Sequence, residues 1–425
     1  MIAVSLALFV VALLGAPLFA VIAASALTGF ASSGIDLSAV VIEFNRLAET
    51  PLLVAIPLFT FAGYLLGESG APQRIVRLTQ SFLGWLPGGL ALVAIATCAL
   101  FTAFTGASGV TIIALGALLY PAFRYAGYPE RFSLGLITSS GSLGVLFAPS
   151  LPLILYGIVA QQLGVGRPVS IEELFVAGLL PGILMLVMLG AWSVWRNRAL
   201  RTPLAAFSWT RAFAAVRESA WEIPLPFVVL GGIYGGFFAV SEAAAVTVIY
   251  VLAVEVLILR EIPLAKLPDI MRRSMVLVGA VLAILGMALA STNYLIDAEV
   301  PIKLFDAARS HISSPLTFLL VLNVFLLLLG MILDIFSATV IMIPLILPMA
   351  IGYGIDPLHL GIVFLANMQI GYFTPPVGMN LFIASHRFGK PVLELCRAAL
   401  PFFFILLAAV LIITYWPALT LVLVR

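Results

Sequence analysis

The sequence predicts an all-α, polytopic membrane protein with about a dozen membrane segments. Hydrophobic residues make up 63% of the 425 positions, charged residues only 9%, and the mean hydropathy is +1.20. A soluble domain carries about 25% charged residues, because its surface faces water. Apolar runs of 18 or more residues recur along the chain, each long enough to cross a hydrocarbon core of about 30 Å as a helix. They lack the alternation of barrel strands, so we expect helices.

The predicted helices are the apolar runs that lie between charged residues or Pro/Gly breaks. They fall near 2–24, 51–67, 88–105, 174–195, 223–239, 241–259, 274–295, 315–333 and 398–424. Two further stretches, 105–160 and 330–385, are apolar but interrupted by Gly, Pro and hydroxyl residues. The first charged residue is Asp36 and the first basic residue is Arg46, so the first run lacks the basic region of a signal peptide. We therefore expect a retained first span and a chain that is mature protein throughout.

The positions of the charges orient the middle of the chain. The segment 196–217 holds five arginines and no acidic residue, and 260–273 adds four basic residues against Glu261 and Asp269. Two spans separate these segments, so both lie on one membrane face, which the positive-inside rule identifies as cytoplasmic. The segment 297–309, one span later, is slightly acidic, as expected for the opposite face. The net charge of +2 is too small to indicate nucleic-acid binding.

Three residues of potentially reactive type have structural explanations. Cys98 and Cys396 lie in or beside predicted spans and form no zinc-ligand spacing, so we expect inert core thiols. Glu242 follows Ser241 in a tight turn between two spans, where an acidic residue in a first helical turn favours the helix dipole. A proton site is the alternative for Glu242, and we favour the structural role.

The two interrupted stretches are related by an internal repeat. At a constant offset of 227 positions, Pro121 corresponds to Pro348, Gly127 to Gly354, Gly144 to Gly371 and Pro149 to Pro376. The order is the same in both halves: an apolar helix with a Pro, a Gly turn, a second helix, then Gly and Pro that break it. Paired, interrupted apolar segments of this kind indicate the binding site of a secondary transporter. Kinks in packed helices are the structural alternative.

The breaks have the chemistry of an ion and substrate site. Inside a membrane, non-helical backbone is stable only where protein or a wet cavity satisfies its N–H and C=O groups. Bare carbonyls and hydroxyls suit a hard cation such as Na⁺, and flanking helix N-termini favour an anion. We therefore predict that Ser139, Ser140 and Ser142 in the first break, and Thr374 in the second, form the floor of this site.

Each half of the repeat also opens with a turn of small or polar residues, 105–109 in the first half and 334–339 in the second. Asp334 ends a long apolar run with no obvious basic partner. An intramembrane carboxylate is costly and usually functional, whereas a cap for the helix that begins at Ile335 is the structural explanation. The two roles are compatible, and both stay open.

Several segments together resemble one transporter family along nearly the whole chain. They are GAPLFA at 15–20, IPLFTFAGYLL at 56–66, PGGLALVAI at 87–95, GALLYPAF at 116–123, SLPLILYG at 150–157, SEAAAV at 241–246, GIDPLHLGIV at 354–363 and, most specific, GYFTPPVGMNLF at 371–382. The chain with these segments resembles the large membrane subunit of tripartite ATP-independent periplasmic (TRAP) transporters, the DctM-like family.

The resemblance implies an elevator-type secondary transporter of the bacterial inner membrane, with two inverted-repeat hairpins and broken helices. The first hairpin would include 105–125 and the second 335–353. The implied partners are a small four-span membrane subunit (Q type) and a periplasmic substrate-binding protein (P type). The implied cargo is a small organic anion, a carboxylate or C4-dicarboxylate, driven by a sodium gradient. No enzymatic activity is implied, and no cofactor other than Na⁺ as the coupling ion.

The resemblance also implies a division of the chain and positions for the two sites. Scaffold spans occupy 1–87 and 171–295, the transport repeats 88–170 and 296–390, and a last span 391–425. The sodium-site positions are Gly106, Ser108, Ser142, Gly144, Asp334, Gly371, Thr374 and Gly378. The substrate-site positions are Thr105, Ala107, Thr111, Ser150, Ser337, Pro375 and Asn380. The family's first turn is often of Ser-Gly-Ser-Ser type; here Thr105 or Thr111 would supply the hydroxyl.

Two other functions compete with transport. Residues 106–109 fit the G-x-S-G pattern of rhomboid-like intramembrane serine proteases, in which Ser108 would need a His base within hydrogen-bond reach. The three histidines, His311, His359 and His386, lie in a loop or at predicted span ends. A passive anion channel would also use Gly-rich breaks. Its pore usually comes from several identical subunits, whereas an internal repeat around one site favours alternating access.

The assignment of Thr374 makes a first prediction. Thr374→Val removes one oxygen while it keeps the side-chain volume, so the sodium concentration that supports half-maximal uptake should rise. The measurement is sodium-dependent uptake by the reconstituted transporter. An unchanged sodium dependence and apparent affinity would show that the assignment of Thr374 is wrong.

Overall fold

The computed structural model describes residues 7–8, 10–11, 14–46, 49–86, 88–198, 207–375 and 377–424. Within these ranges the chain forms helices and no β-strand. Eight of the described helices are long and apolar enough to cross a membrane, or nine if one bent pair counts as a span. Shorter apolar helices at 19–33, 89–105, 224–234 and 357–371 bring the total to about a dozen, which confirms the predicted fold class.

The first helices are α1 Leu18–Ser33, α2 Ser38–Arg46, α3 Ala55–Glu68 and α4 Ala71–Leu83, with a 3₁₀ turn at Pro51–Val54. The prediction of one span at 2–24 is wrong, because the chain turns at 14–17 and α1 then continues to Ser33. Pro17 stands just before α1, where a missing N–H costs nothing. Residues 1–6, 9, 12 and 13 of that predicted span lie outside the described residues.

The first repeat consists of a hairpin and a broken segment. Its helices are α5 Gly89–Thr105, α6 Ser108–Tyr125, α7 Glu130–Ser140 and α8 Leu151–Leu163, with a 3₁₀ turn at Leu143–Leu146. The chain reverses between α5 and α6, and the hydroxyls of Thr102 and Thr111 lie 2.7 Å apart across that turn. The segment from α7 to α8 is bent by 42°. The first hairpin and the first break are both present where the sequence predicts them.

The central helices are α9 Ile171–Arg196, α10 Trp209–Glu218, α11 Pro224–Tyr234, α12 Val240–Leu252 and α13 Leu267–Asp297, with a π-helical turn at Ala253–Ile258. Helix α13 packs against α1 and α3, and α12 packs against α3, which makes these four one bundle. The predicted span 223–239 is too long, because Gly235 and Gly236 (φ 70°) end α11. Glu242 Oε2 accepts a 2.9 Å hydrogen bond from the Ala239 N–H at the start of α12, which confirms its structural role.

The second repeat is preceded by α14 Val300–His311 and consists of α15 Pro315–Ile332, α16 Ile335–Gly352, α17 Pro357–Gly371 and α18 Met379–Phe388, followed by α19 Val392–Tyr415 and α20 Ala418–Leu421. The Phe318 ring stacks on Tyr353 at 4.5 Å, so the outer ends of the α15–α16 hairpin meet. The predicted last span, 398–424, ends too late, because α19 ends at Tyr415 and Pro417 follows.

The structure confirms the internal repeat. Shifted by the offset of the repeat, α6 has the same bounds as α16, and Gly127 and Gly354 each have φ 77° after those helices. Helix α6 packs against α18, and α16 packs against α8, so each hairpin rests on the broken segment of the other repeat. Pro376, the repeat partner of Pro149, lies outside the described residues.

One ion pair at each end of this assembly also joins the repeats. Lys390 Nζ lies 2.6 Å from Glu130 at the start of α7, and Arg167 lies 3.5 Å from Asp356 at the start of α17. In both ion pairs, a basic residue just after the broken segment of one repeat pairs with an acidic residue at the start of the broken segment of the other repeat. The two repeats therefore form one interlocked unit.

Glycines at equivalent positions allow the hairpins and broken segments to approach closely. A Cβ on Gly144 would lie 2.3 Å from the Ala99 carbonyl oxygen and 2.4 Å from the Ala103 nitrogen. A Cβ on Gly371 would lie 2.6 Å from the Gly330 Cα. These distances are shorter than real carbon contacts, and the obstacles are backbone atoms that have no room to move.

Gly144→Ala should destabilise the protein by about 1–3 kcal/mol, because the added methyl group overpacks two backbones. The measurement is the thermal unfolding midpoint in detergent. Gly279→Ala is the matched control, since a Cβ there meets no atom within 4 Å and should be neutral or slightly stabilising. Equal midpoints for the two variants would contradict the close packing at Gly144.

Candidate ion and substrate site

The first hairpin turn depends on Gly106. Its φ of 64° lies in the left-handed region, and its N–H donates to the Thr102 carbonyl at 2.8 Å to end α5. A Cβ on Gly106 would lie 2.6 Å from the Leu151 side chain. Both the conformation and the space therefore require glycine, and the turn lies against the first residue of α8.

Ser108, the first residue of α6, joins the first hairpin to the second broken segment. Its Oγ donates to Asn380 Oδ1 at 2.8 Å, and Asn380 Nδ2 lies 3.4 Å from the Thr138 carbonyl oxygen. All three side chains are buried. Two residues that the resemblance assigns to different sites, one in each half of the chain, therefore bind each other directly.

A hydroxyl that the sequence argument missed holds the first turn to the first break. Thr102 Oγ1 donates to the Gly141 carbonyl at 2.8 Å. A hydroxyl has one hydrogen, so the 2.7 Å contact between Thr102 and Thr111 is a bond that Thr111 donates. Thr102 lies one turn before Thr105 on the same helix, which is the one signal in the sequence that could have indicated it.

The serines of the first break have different environments. Ser139 Oγ donates to the Gly135 carbonyl of its own helix at 2.8 Å. Ser142 Oγ donates to the Gln369 carbonyl at 3.1 Å. Ser142 and Gln369 occupy equivalent positions of the two repeats, so this bond lies close to the axis that relates them. Ser142 therefore joins the first break to the second repeat.

The second hairpin turn is capped by Asp334. One of its carboxylate oxygens accepts from the backbone N–H groups of Phe336 and Ser337, each at 3.0 Å, and the other accepts from the Ser337 hydroxyl. The cap role of Asp334 is thus confirmed, and Ser337 is oriented by it. The carboxylate is half-buried at the end of a membrane helix, so a binding role remains a prediction.

The second break contacts both hairpin turns. The Tyr372 hydroxyl accepts from the Ile335 N–H at 2.6 Å, which satisfies a donor that α16 cannot pair itself. The Tyr372 carbonyl accepts from the Asn380 N–H at 2.8 Å, and Asn380 binds Ser108 of the first hairpin. Thr374 Oγ1 donates to the Ile370 carbonyl at 2.9 Å. Tyr372 and Asn380 of the second break therefore bridge the two turns.

Glycine also keeps this second break compact. A Cβ on Gly378 would lie 2.5 Å from the Tyr372 carbonyl oxygen. Pro375 is half-buried, and Ala107 of the first turn is half-buried as well. Because their side chains carry no polar atom, these two predicted positions can offer a ligand only backbone groups or apolar contact.

Three buried hydroxyls in this region have no hydrogen-bond partner among the described residues: Thr105 Oγ1, Ser140 Oγ and Ser150 Oγ. Unpaired buried hydroxyls are uncommon, because each has lost its water. Thr105 ends α5, and Ser150 precedes α8, so these two stand where the first turn meets the first break. In the described chain no group of three His, Cys, Asp or Glu residues could hold a metal ion.

In the part of the chain that the structure describes, no hydrogen bond joins Ser108 to a histidine. His359 bonds to Thr420 Oγ1 at 2.9 Å and to the Thr414 carbonyl at 3.1 Å, while Ser108 donates to Asn380. This geometry does not support a Ser–His pair. Cys98 and Cys396 are buried and free, as the sequence predicts.

Comparison with protein families gives one match over most of the chain. The model of the tripartite ATP-independent periplasmic transporter, DctM component, matches residues 5–419. The C4-dicarboxylate TRAP transporter large permease protein DctM of Pseudomonas aeruginosa is 34% identical over 90% of this chain and 88% of its own length. The ectoine TRAP transporter large permease protein TeaC of Halomonas elongata is 31% identical, over 96% and 95%.

Two further similarities differ in coverage and in kind. The isethionate TRAP transporter permease protein DctMQ of Oleidesulfovibrio alaskensis is 35% identical over 89% of this chain, which spans only 58% of that relative. Among solved structures, the YdaH transporter of Alcanivorax borkumensis superposes with a TM-score of 0.62 over 90% of this chain and 88% of that one, at 15% identity. The latter likeness concerns the fold alone.

The bond between Ser108 and Asn380 is testable by a double-mutant cycle. Ser108→Ala or Asn380→Leu alone should cost about 1–3 kcal/mol, because each leaves a buried polar partner unpaired. The double variant should cost less than the sum of the two, since the equivalent positions of the other repeat are already apolar, Ile335 and Leu153. Thermal unfolding midpoints provide the four values. Strictly additive costs would contradict the bond.

Proposed function

The chain belongs to the DctM component family of tripartite ATP-independent periplasmic transporters, and from that premise we propose that it drives uptake of a small organic anion with a sodium gradient. As a member of this family it is the large permease component of a secondary transporter and an integral protein of the bacterial inner membrane. The proposal adds the coupling ion, the direction, the elevator movement and the class of cargo.

The observation that carries the proposal is the bridge that Tyr372 and Asn380 of the second break form between the hairpins. This segment binds Ile335 of the second hairpin through Tyr372, and Ser108 of the first hairpin through Asn380. An ion or substrate that contacts the segment would therefore change the environment of both hairpin turns. Such a connection between the two hairpin turns is needed if the two repeats are to move only when both ion and substrate are bound or when neither is bound.

The available ligands favour sodium over a transition metal. Thr105, Ser150 and Thr374 offer hydroxyls, the breaks offer carbonyls, and the described residues hold no cluster of His, Cys or carboxylates. Neutral oxygen ligands suit a hard cation. We propose that the sodium positions implied by the resemblance act through these oxygens and that Asp334 supplies a negative charge at the second hairpin turn.

The substrate end of the proposal rests on helix N-termini. Helices α8 and α18 begin at the two breaks, at Leu151 and Met379, and a helix N-terminus attracts an anion. Ser150 and Asn380 stand at those starts and add a hydroxyl and an amide. We propose a carboxylate as the recognised group. The relatives named above are called C4-dicarboxylate, isethionate and ectoine transporters, so the particular substrate differs within the family.

The elevator movement is proposed from the division of the packing. Helices α1, α3, α12 and α13 form one bundle, whereas the two repeats interlock through their hairpins and two ion pairs. We propose that 88–170 and 296–390 move together against spans in 1–87 and 171–295. A four-span small subunit and a periplasmic binding protein would complete the transporter. The name DctMQ of one relative, longer than this chain, supports the small subunit.

The proposal is tested by reconstitution in liposomes with the neighbouring small subunit and the cognate binding protein. Uptake of labelled carboxylates should require both the binding protein and an inward sodium gradient. Uptake that is indifferent to both would contradict the proposal and favour a channel.

Thr105→Val should raise the half-saturating concentration of sodium or of substrate by about tenfold, because one oxygen ligand worth about 1–1.5 kcal/mol is lost. Ser193→Ala is the matched control: Ser193 Oγ is also buried and unpaired, but it lies on α9, away from the hairpin turns and breaks. If both variants behave like the parent, Thr105 has no part in either site.

A further inference from the structure

A buried ionic cluster lies outside the repeats. It joins α4 to the residues just before α11 and to the segment that follows α12. Arg74 of α4 is 7% exposed. Its Nε donates to Glu222 Oε1 at 2.5 Å, and its Nη1 donates to Glu261. Its Nη2 lies 3.2 and 3.3 Å from the two carboxylate oxygens of Glu255. Glu255 is 1% exposed and lies in the π-helical turn that follows α12.

The charges of this cluster do not balance. One guanidinium faces three carboxyl groups, so full ionisation would leave two uncompensated negative charges in a largely buried site. Carboxylates that share a buried site cannot all ionise without a large free-energy cost.

A second, independent observation comes from one oxygen atom of Glu222. Glu222 is 9% exposed, and its Oε2 is buried with no hydrogen-bond partner in the described chain, while its Oε1 is held by Arg74. A buried, unpaired carboxylate oxygen is among the most costly groups in a protein interior. A protonated carboxyl removes that cost, because the charge is lost.

The surrounding charged groups are already engaged. Arg77 pairs with Glu218, and Arg273 pairs with Glu68 and Asp269, each at 2.9 Å. The other groups around the cluster are neutral or directed away from it: the Gly70 N–H donates to Glu261 Oε2 at 2.6 Å, Ser219 Oγ donates to the Arg74 carbonyl, the Tyr250 hydroxyl donates to the Trp221 carbonyl, and exposed Arg260 donates to the Leu257 carbonyl. No second described cation contacts the three carboxyl groups.

We propose that the cluster of Arg74, Glu222, Glu255 and Glu261 binds a proton at neutral pH, and that this proton is needed to anchor α4 to the bundle of α3 and α12. Loss of the proton adds a buried negative charge and loosens the anchor. The proton site itself stands on the geometry alone. Its effect on transport rests on the proposed function.

The two carboxyl groups outside the membrane spans have pKa values shifted in opposite directions, and that of Glu222 is the one raised. Burial raises the pKa of Glu222 in spite of its bond to Arg74. Burial also acts on Glu261, but hydrogen bonds from Arg74 and the Gly70 N–H outweigh it and lower the pKa of that carboxyl. A carboxyl whose pKa is higher in the folded chain binds more protons there than in the unfolded chain. Stability is therefore lost as the pH rises through the folded pKa.

The anchor distinguishes the two helices that lead into the hairpins. Helix α4 precedes the first hairpin on the face that the charges identify as cytoplasmic, and α14 precedes the second. The charged side chains of α14, Lys303, Asp306 and Arg309, are exposed. Its Phe305 instead packs on Tyr353 of the second hairpin, with ring centroids 5.3 Å apart. A buried ionic anchor therefore holds α4 but not α14.

The experiment measures thermal unfolding midpoints of the full chain in detergent between neutral and alkaline pH. The parent should lose roughly 2–4 °C as the proton leaves. In Glu255→Gln or Glu222→Gln the side chain is neutral at every pH. Either variant should keep the parent's midpoint at neutral pH and make the midpoint less dependent on pH. Glu218→Gln, in the exposed pair beside the cluster, is the matched control and should keep the parent's pH dependence.

Infrared difference spectra of the parent provide a second measurement that needs no variant to fold. The carbonyl stretch of a protonated carboxyl should be present at neutral pH, vanish in alkaline buffer, and be missing from one glutamine variant. A parent without that band overturns the proposal. So does a midpoint that follows sodium or potassium concentration instead of pH, since a cation would then neutralise the cluster. If the unfolding midpoints and the infrared band both behave as expected but uptake does not depend on pH, the proton site is supported and its role in transport is contradicted.

Discussion

The structure depends on one constraint: a chain that leaves the helix inside a membrane must still satisfy its backbone polar groups. Each repeat is broken, and each break is held by groups from elsewhere in the fold. The Gly141 carbonyl receives the Thr102 hydroxyl, and the Ile335 N–H finds the Tyr372 hydroxyl. The breaks are therefore built parts of the fold and not kinks, because specific partners exist for their exposed groups.

The same constraint explains why the two repeats interlock. Ser142 of the first break donates to the Gln369 carbonyl of the second repeat, and Ser108 donates to Asn380. Since each hairpin rests on the broken segment of the other repeat, neither repeat completes its packing alone. A unit held together in this way can move as one body, which is what the proposed elevator requires.

The repeats share a backbone but differ in side chains, and the difference is where function can reside. Ser108 and Asn380 form a polar pair, whereas their equivalents Ile335 and Leu153 are apolar. Asp334 caps the second hairpin, whereas the first turn has Ala107 at that position. The polar groups are thus distributed unequally between the two turns, as expected if one duplicated backbone serves different ligands. The ionic cluster around Arg74 lies outside both repeats.

The sequence by itself determined the membrane class, the repeat and the positions of both hairpins and both breaks, because hydropathy and the order of Gly and Pro are properties of the chain alone. It misplaced the first span and the ends of at least three others, including α13, which begins at Leu267 and not near 274. Single prolines and glycines act within a few residues of these ends. Only the tertiary structure decided which hydroxyls meet which carbonyls, why Thr102 matters, and that Arg74 collects three carboxyl groups. Thr102 and Gly141 are 39 positions apart, and Arg74 is 148 to 187 positions from its three carboxyl groups, so no local pattern encodes these contacts.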